Sequence, residues 1–175
     1  MALILSVAGS SSIAQESVPA AIATPAAATL PWPTPVQVVR IWSGDAPGFV
    51  KAGKSEEIVN ERIRYVSVPE LWVYTPEQPA KMRTALLICP GGGYGHLSMG
   101  QHVGNVVKLL NDQGVVVFGL KYRTKYGANS PADDAVADCA RAVRMIRQNA
   151  DAWGINPARV GVQGYSAGGN VGLNL

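Results

Sequence analysis

The residues with the clearest chemical potential are Gly164-Tyr165-Ser166-Ala167-Gly168, with Gly169 directly behind them. The pattern Gly-x-Ser-x-Gly suits a sharp strand-to-helix turn that presents the hydroxyl to an acyl carbonyl. Positions two before and two after the serine must lack bulk, and the strain of the turn lifts the oxygen clear of the sheet. The flanks agree: Arg159-Val160-Gly161-Val162-Gln163 is a short β-type run, and Gly169-Asn170-Val171-Gly172-Leu173 can open a helix. The pattern alone is common, and an ordinary strand-to-helix turn accounts for it equally well. A second feature lies upstream, in Pro90-Gly91-Gly92-Gly93-Tyr94-Gly95 directly after an apolar run. Consecutive glycines let backbone N–H groups turn outward towards a ligand atom. Two such donors, with the N–H of Ala167, would surround the oxyanion of a tetrahedral intermediate. A phosphate-binding loop is the rival, but the Lys-Ser/Thr of a P-loop is missing, and a structural glycine turn is the plain alternative. The order is more specific than either motif: a glycine-rich loop after one strand, then a serine turn after a strand two crossovers later.

These features must be positioned by an α/β framework. Ala85-Leu86-Leu87-Ile88-Cys89 and Val115-Val116-Val117-Phe118-Gly119-Leu120 are continuous apolar runs, as expected of strands buried on both faces. Residues 100–113 favour a helix with Val103, Val106, Val107 and Leu110 on one stripe, stopped by Gly114. Ser130-Pro131-Ala132-Asp133 reads as a helix start, with a capping serine and proline at the first helical position. That helix should run to about Trp153, with Val136, Cys139, Val143, Ile146 and Ala150 facing the core and Gly154 ending it. Asp138 is positioned to pair with Arg141. Strand, helix, strand, helix, strand is a parallel α/β sheet with right-handed crossovers. Ahead of it, residues 58–68 and 71–74 read as two strands joined by a turn at 67–70, an antiparallel hairpin.

Composition bounds the function classes. At 175 residues the chain can bury a real core, and with 47% hydrophobic and 15% charged residues it reads as globular. A net charge of +3 without any Lys/Arg block points to neither nucleic acid nor an anionic membrane. No apolar stretch is long enough to span a bilayer. Cys89 and Cys139 fall in core elements, where two buried free thiols are favoured over one disulfide. Residues 1–14 resemble a secretory signal without a basic leader, and 15–37 read as an Ala/Pro/Thr-rich tether, leaving 38–175 as the folded domain. A secreted or periplasmic location is the expectation.

The chain resembles the α/β-hydrolase superfamily, and within it the exported carbohydrate-esterase-like branch, acetylxylan-esterase or feruloyl-esterase-like. The residues that carry the resemblance are Ile41-Trp42-Ser43-Gly44-Asp45-Ala46-Pro47-Gly48, Cys89-Pro90-Gly91-Gly92-Gly93-Tyr94, Leu120-Lys121-Tyr122-Arg123, Trp153-Gly154-Ile155-Asn156-Pro157 and Gly164-Tyr165-Ser166-Ala167-Gly168-Gly169. Pro90, where hormone-sensitive-lipase-like relatives have His, favours the carbohydrate-esterase branch. The resemblance implies the N-terminal half of the α/β-hydrolase fold: an antiparallel hairpin followed by parallel strands with crossover helices. It also implies Ser166 as nucleophile, oxyanion donors Gly92, Gly93 and Ala167, an acylated carbohydrate or small ester as substrate, and neither metal nor cofactor. A base and an orienting acid are still required, and in this fold they follow the serine. Nine residues past Ser166 supply neither, so the reading is of a fragment truncated after the serine turn. His96 and His102 read as loop-flanking and helix-surface residues rather than the base, and Asp133, Asp134 and Asp138 as capping or ion-pairing groups. Two alternatives stand beside the esterase: a prolyl-oligopeptidase-type peptidase fragment, and a non-catalytic product.

Overall fold

In the computed structural model, residues 30–50, 53–78 and 83–175 are described. The signal-like segment 1–14 and the first part of the tether, through residue 29, lie outside them. The two apolar runs form strands β5 (Arg83–Cys89) and β7 (Val116–Lys121), which pair in parallel. Both lie inside a five-stranded sheet, and every residue of β7 is buried. Strand β8 (Ile155–Gly164) pairs in parallel on the other side of β5, with Cys89 opposite Gly164. Strands β1 (Gln37–Arg40) and β4 (Glu70–Tyr74) complete the sheet antiparallel, in the order β1-β4-β7-β5-β8.

The helices cover opposite faces, as the alternation of side chains along β7 shows. Gly119 meets Val103, in a π-helical turn (Gly100–Gly104) that runs into helix α1 (Asn105–Asp112). Its neighbour Phe118 points the other way, edge-on to Trp153 at 5.0 Å. Trp153 closes a short 3₁₀ turn (Ala150–Trp153) that follows helix α2 (Pro131–Gln148). Gly154 ends the turn with φ 60°, where a side chain would be strained. Helix α3 (Ala167–Leu173) follows β8.

The structure departs from the sequence reading at four places. Residues 58–68 are not one strand: β2 (Glu57–Val59) and β3 (Arg62–Arg64) make their own hairpin, with Asn60 and Glu61 at φ 48° and 62° in the two-residue turn. Strand β6 (His96–Leu97) joins them in a second small sheet, and β4 pairs with β1 and β7 instead. Trp32, inside the stretch read as a tether, is buried and stacked on Trp72 at 6.2 Å, so packed structure reaches back into that stretch. Ser130 precedes Pro131 as expected, but its side chain forms no cap hydrogen bond. Asp138 does not pair with Arg141. It faces inward and binds Arg123, just beyond β7.

That ion cluster carries much of the tertiary organisation. Arg123 is wholly buried, with Nε and Nη2 on Asp138 and Nη1 on Asp134, the ion-pair distances being 2.9 Å. Its remaining donors reach the carbonyls of Pro47 and Asp134. Trp42 donates its indole N–H to Asp138, so the 41–48 loop, the end of β7 and the first turns of α2 share one polar knot. Burial acts to lower the Arg123 pKa, but the hydrogen bonds and charges of Asp138 and Asp134 outweigh it and hold the guanidinium above its usual value. Cys89 and Cys139 are both buried and reduced, with sulfurs 3.5 Å apart between β5 and α2. Their mutual hydrogen bond, then burial, push the Cys89 thiol well up.

Removing one side of such a knot strands the other charge in the interior. Arg123→Met should destabilise the chain by about 3–5 kcal/mol in urea unfolding, whereas Arg64→Ala, which breaks an exposed 3.9 Å pair with Glu57, should cost less than about 1. Equal losses for the two variants would contradict a structural role for Arg123.

Candidate active site

The serine turn is built by close backbone approach. Tyr165 donates its N–H to the Cys89 carbonyl at 3.1 Å, which continues the β5–β8 ladder one residue past the sheet. The chain then reverses at Ser166, whose φ of 50° and ψ of −118° are a sparsely populated conformation for a residue with a side chain. A methyl group on Gly164 would overlap the Gly168 carbonyl, and one on Gly168 would overlap the Cys89 carbonyl and lie 2.6 Å from that of Pro90. The two glycines therefore admit the backbone of α3 against the end of β5. Ser166 itself is exposed at the C-terminal ends of the parallel strands.

The glycine-rich loop leaves β5 at the same end. A methyl on Gly91 would sit 2.7 Å from the Tyr165 carbonyl, 3.1 Å from Ser166 Cβ and 3.2 Å from His102 Cε1. Gly92 and Gly93 follow with φ of 148° and 58°, open to glycine at little steric cost. Four side chains hold the loop. Tyr122, after β7, donates its hydroxyl to the Pro90 carbonyl at 2.6 Å, and burial raises its pKa so that the proton stays on. Tyr94 donates to Asn170 Oδ1 at 2.8 Å and so ties the loop to α3. His96 packs on Gly92, and its pKa is lowered by burial, then by Arg62, Arg64 and His102. His102 Nδ1 accepts the Gly91 N–H at 3.0 Å.

The structure thus brings Ser166, Ala167, Gly92 and Gly93 to one end of the sheet, with Gly91 between the loop and the serine. His102 does not occupy the helix-surface position read for it: its ring lies parallel to Tyr165, 4.4 Å away at 3°. Its Nδ1 is already engaged by Gly91, and neither histidine hydrogen-bonds to Ser166 among the described residues. Asp134 and Asp138 are held by Arg123, while Asp133 is exposed on α2. Among the described residues no cluster of His, Cys, Asp or Glu could hold a metal ion. The sequence reading overlooked the roles of Lys121, Tyr122 and Arg123. Their signal was available: charged and polar residues directly after a fully apolar strand need buried partners. Lys121 finds Glu56 and Glu70, each at 2.9 Å.

A cleft of 720 Å³ lies between Thr34, Tyr74, Arg83, Val107 and Gly114, at the opposite end of the sheet from Ser166. This cleft and the serine therefore do not coincide.

The family model BD-FAE matches residues 71–174, from β4 to the end of α3. The chain belongs to this family. Among curated relatives, the chain is similar to an acetylxylan esterase of Xylanibacter ruminicola, 36% identical over 98 residues, 56% of this chain and 19% of the relative. An acetyl ester-xyloside bifunctional hydrolase of Caldicellulosiruptor lactoaceticus superposes with a TM-score of 0.51 at 35% identity, over 60% of this chain and 37% of that one. A propionate-bound esterase of Thermogutta terrifontis gives 0.54 at 26% identity, over 69% and 44%. These similarities place the chain in the α/β-hydrolase fold. The chain spans about a fifth of the length of the acetylxylan esterase and less than half of each of the two solved enzymes.

The close approach at the serine turn is testable by stability alone. Gly168→Ala, which drives a methyl into the end of β5, should cost more than about 4 kcal/mol or prevent folding. Gly93→Ala meets nothing within 4 Å and bears only the left-handed backbone penalty, about 1–2 kcal/mol. Urea midpoints of the two variants check this; a Gly168→Ala chain as stable as Gly93→Ala would refute the tight contact.

Proposed function

We propose that the chain carries the nucleophilic half of a serine carboxylester hydrolase, which removes acyl groups, acetyl foremost, from plant polysaccharides or related esters. The observation that carries this reading is the strained Ser166 with Gly91 packed on its Cβ, because both parts of an acyl-transfer site then share one point. In this reading Ser166 Oγ attacks the acyl carbonyl. The N–H groups of Gly92, Gly93 and Ala167 receive the charge that develops on its oxygen. The alcohol leaves, and water then releases the acyl group from Ser166. A general base must take the serine proton, and this reading assigns that role to none of the described residues. The names of the relatives, acetylxylan esterase and acetyl ester-xyloside hydrolase, support acetylated xylan as the substrate class. A polysaccharide substrate accords with export directed by residues 1–14. Among the described residues no helix is long and apolar enough to cross a membrane.

A fluorophosphonate reports the nucleophile directly, and imidazole in the buffer can stand in for a base. A positioned base contributes about 10²–10⁴ in rate, so labelling of Ser166 should be slow without imidazole and accelerate with it. Intact mass and peptide mapping should place the adduct on Ser166, and Ser166→Ala should take none. A folded chain that stays unlabelled in both buffers, or is labelled elsewhere, would sink the esterase reading.

A further inference from the structure

The His102 side chain touches both halves of the site. Its Nδ1 accepts the Gly91 N–H at 3.0 Å, and its ring lies flat on Tyr165, the residue before the serine. Three hydrogen bonds close a ring around it: Gly91 N–H to His102 Nδ1, the His102 backbone N–H to the Ser98 carbonyl at 3.0 Å, and Ser98 N–H to the Gly91 carbonyl at 2.9 Å. Gly91 is thereby fixed on both its polar groups, and the N–H groups of Gly92 and Gly93 take their direction from it. The arrangement also assigns the tautomer. A nitrogen that accepts a hydrogen bond carries no hydrogen, so the proton of neutral His102 is on Nε2.

We propose that His102 is a positioning residue for this site: unprotonated, it locks the Gly91 amide and braces Tyr165, and protonation at Nδ1 releases the glycine loop from the serine turn. This rests on the serine-esterase reading for its functional consequence, but the lock itself is a property of the fold. Protonation would set two donors, Nδ1–H and Gly91 N–H, against each other, so the bond is lost and the contact becomes repulsive. The loop then keeps its tethers through Tyr122 and Tyr94 but loses the one that orients Gly91.

The surroundings favour the neutral form. Burial holds the His102 pKa below its usual value of 6.5. Tyr165 faces the ring from the serine turn, and its hydroxyl accepts the side-chain N–H of Gln163. On the small sheet His96 stands nearby; burial and then Arg62 and Arg64 lower its own pKa, so it too favours the neutral form. Glu61 is the acid packed on this turn, against Gly100. The π-helical turn itself, Gly-Gln-His-Val-Gly, brings no other charge. Because the folded pKa is depressed, the unfolded chain binds the proton first as pH falls. The locked state is therefore fully present above the ordinary histidine pKa and is lost on acidification through and below it.

Nuclear magnetic resonance of the full chain, with labelled glycine amides and histidine rings, tests the lock without any assay of activity. The Gly91 amide should titrate with the same midpoint as the His102 ring, below 6.5. In His102→Asn, whose Oδ1 can accept the same bond and does not titrate, the Gly91 amide should hold still across that range. In His102→Phe, which keeps the stacking and loses the acceptor, Ser166 should react with a fluorophosphonate about tenfold to a hundredfold more slowly at neutral pH. The ratio of wild-type to His102→Asn labelling rates cancels every other titration. It should stay near one at neutral pH and fall about tenfold on acidification, with the midpoint of the Gly91 amide. A Gly91 amide indifferent to the His102 titration overturns the proposal, as does a His102→Phe chain labelled at the wild-type rate. If Ser166 is labelled in no variant the esterase reading fails, while the amide titration still decides the lock.

Discussion

The carbonyl of Cys89 is the point from which the site is laid out. It ends β5, accepts the Tyr165 N–H and forms the surface against which Gly168 packs. The chain that continues beyond it is the glycine loop, so a single peptide group connects the loop and the serine turn. A side chain at Gly168 or Gly164 would break this contact, and that is why the motif has glycines at those two positions and not merely small residues nearby. The strained backbone at Ser166 is tolerated because a β5–β8 ladder on one side and α3 on the other over-determine it.

Behind this point the framework is held by ion pairs around two buried cations, Lys121 and Arg123. Lys121, the last residue of β7, and Tyr122 and Arg123 beyond it act in three directions: to Glu56 and Glu70, to the Pro90 carbonyl, and to Asp134 and Asp138. All five N–H groups of the guanidinium have acceptors, as a wholly buried cation requires. Such clusters add little net stability over an apolar core, yet they are directional. They fix which loop sits on which helix. Here the loop carrying Trp42 and Pro47 can dock on α2 in one way only, since both residues bond to the same knot.

The two histidines illustrate the limit of reading chemistry from spacing. His96 and His102 are six residues apart, on a two-residue strand and a π-helical turn, and in sequence they read as generic surface positions. The fold turns both towards the glycine loop, one against Gly92 and one against Gly91. Neither reaches Ser166, so the structure gives them structural contacts in the site without supplying the base. The five-stranded sheet ends at β8 among the described strands, and its half-exposed residues contrast with the fully buried β7 beside β5.

What the sequence determined by itself was local and periodic. Two unbroken apolar runs can only be strands covered on both faces, Pro131 can only open a helix, and a serine two residues from each of two glycines after a β-run marks a turn. From these the parallel α/β order and the position of Ser166 followed. What the tertiary structure decided was pairing. The Asn60-Glu61 turn looks like any polar dipeptide until its left-handed backbone is seen, so the extent of the first hairpin was misread. Asp138 is one turn from Arg141, a pairing that helical spacing permits at little gain. It binds Arg123 instead, because a wholly buried cation fifteen residues away in sequence offers a far stronger interaction than the half-buried Arg141, which donates to the Ile41 carbonyl. Local propensity acts over a few residues, whereas desolvated charge and backbone contact choose their partners across the whole chain.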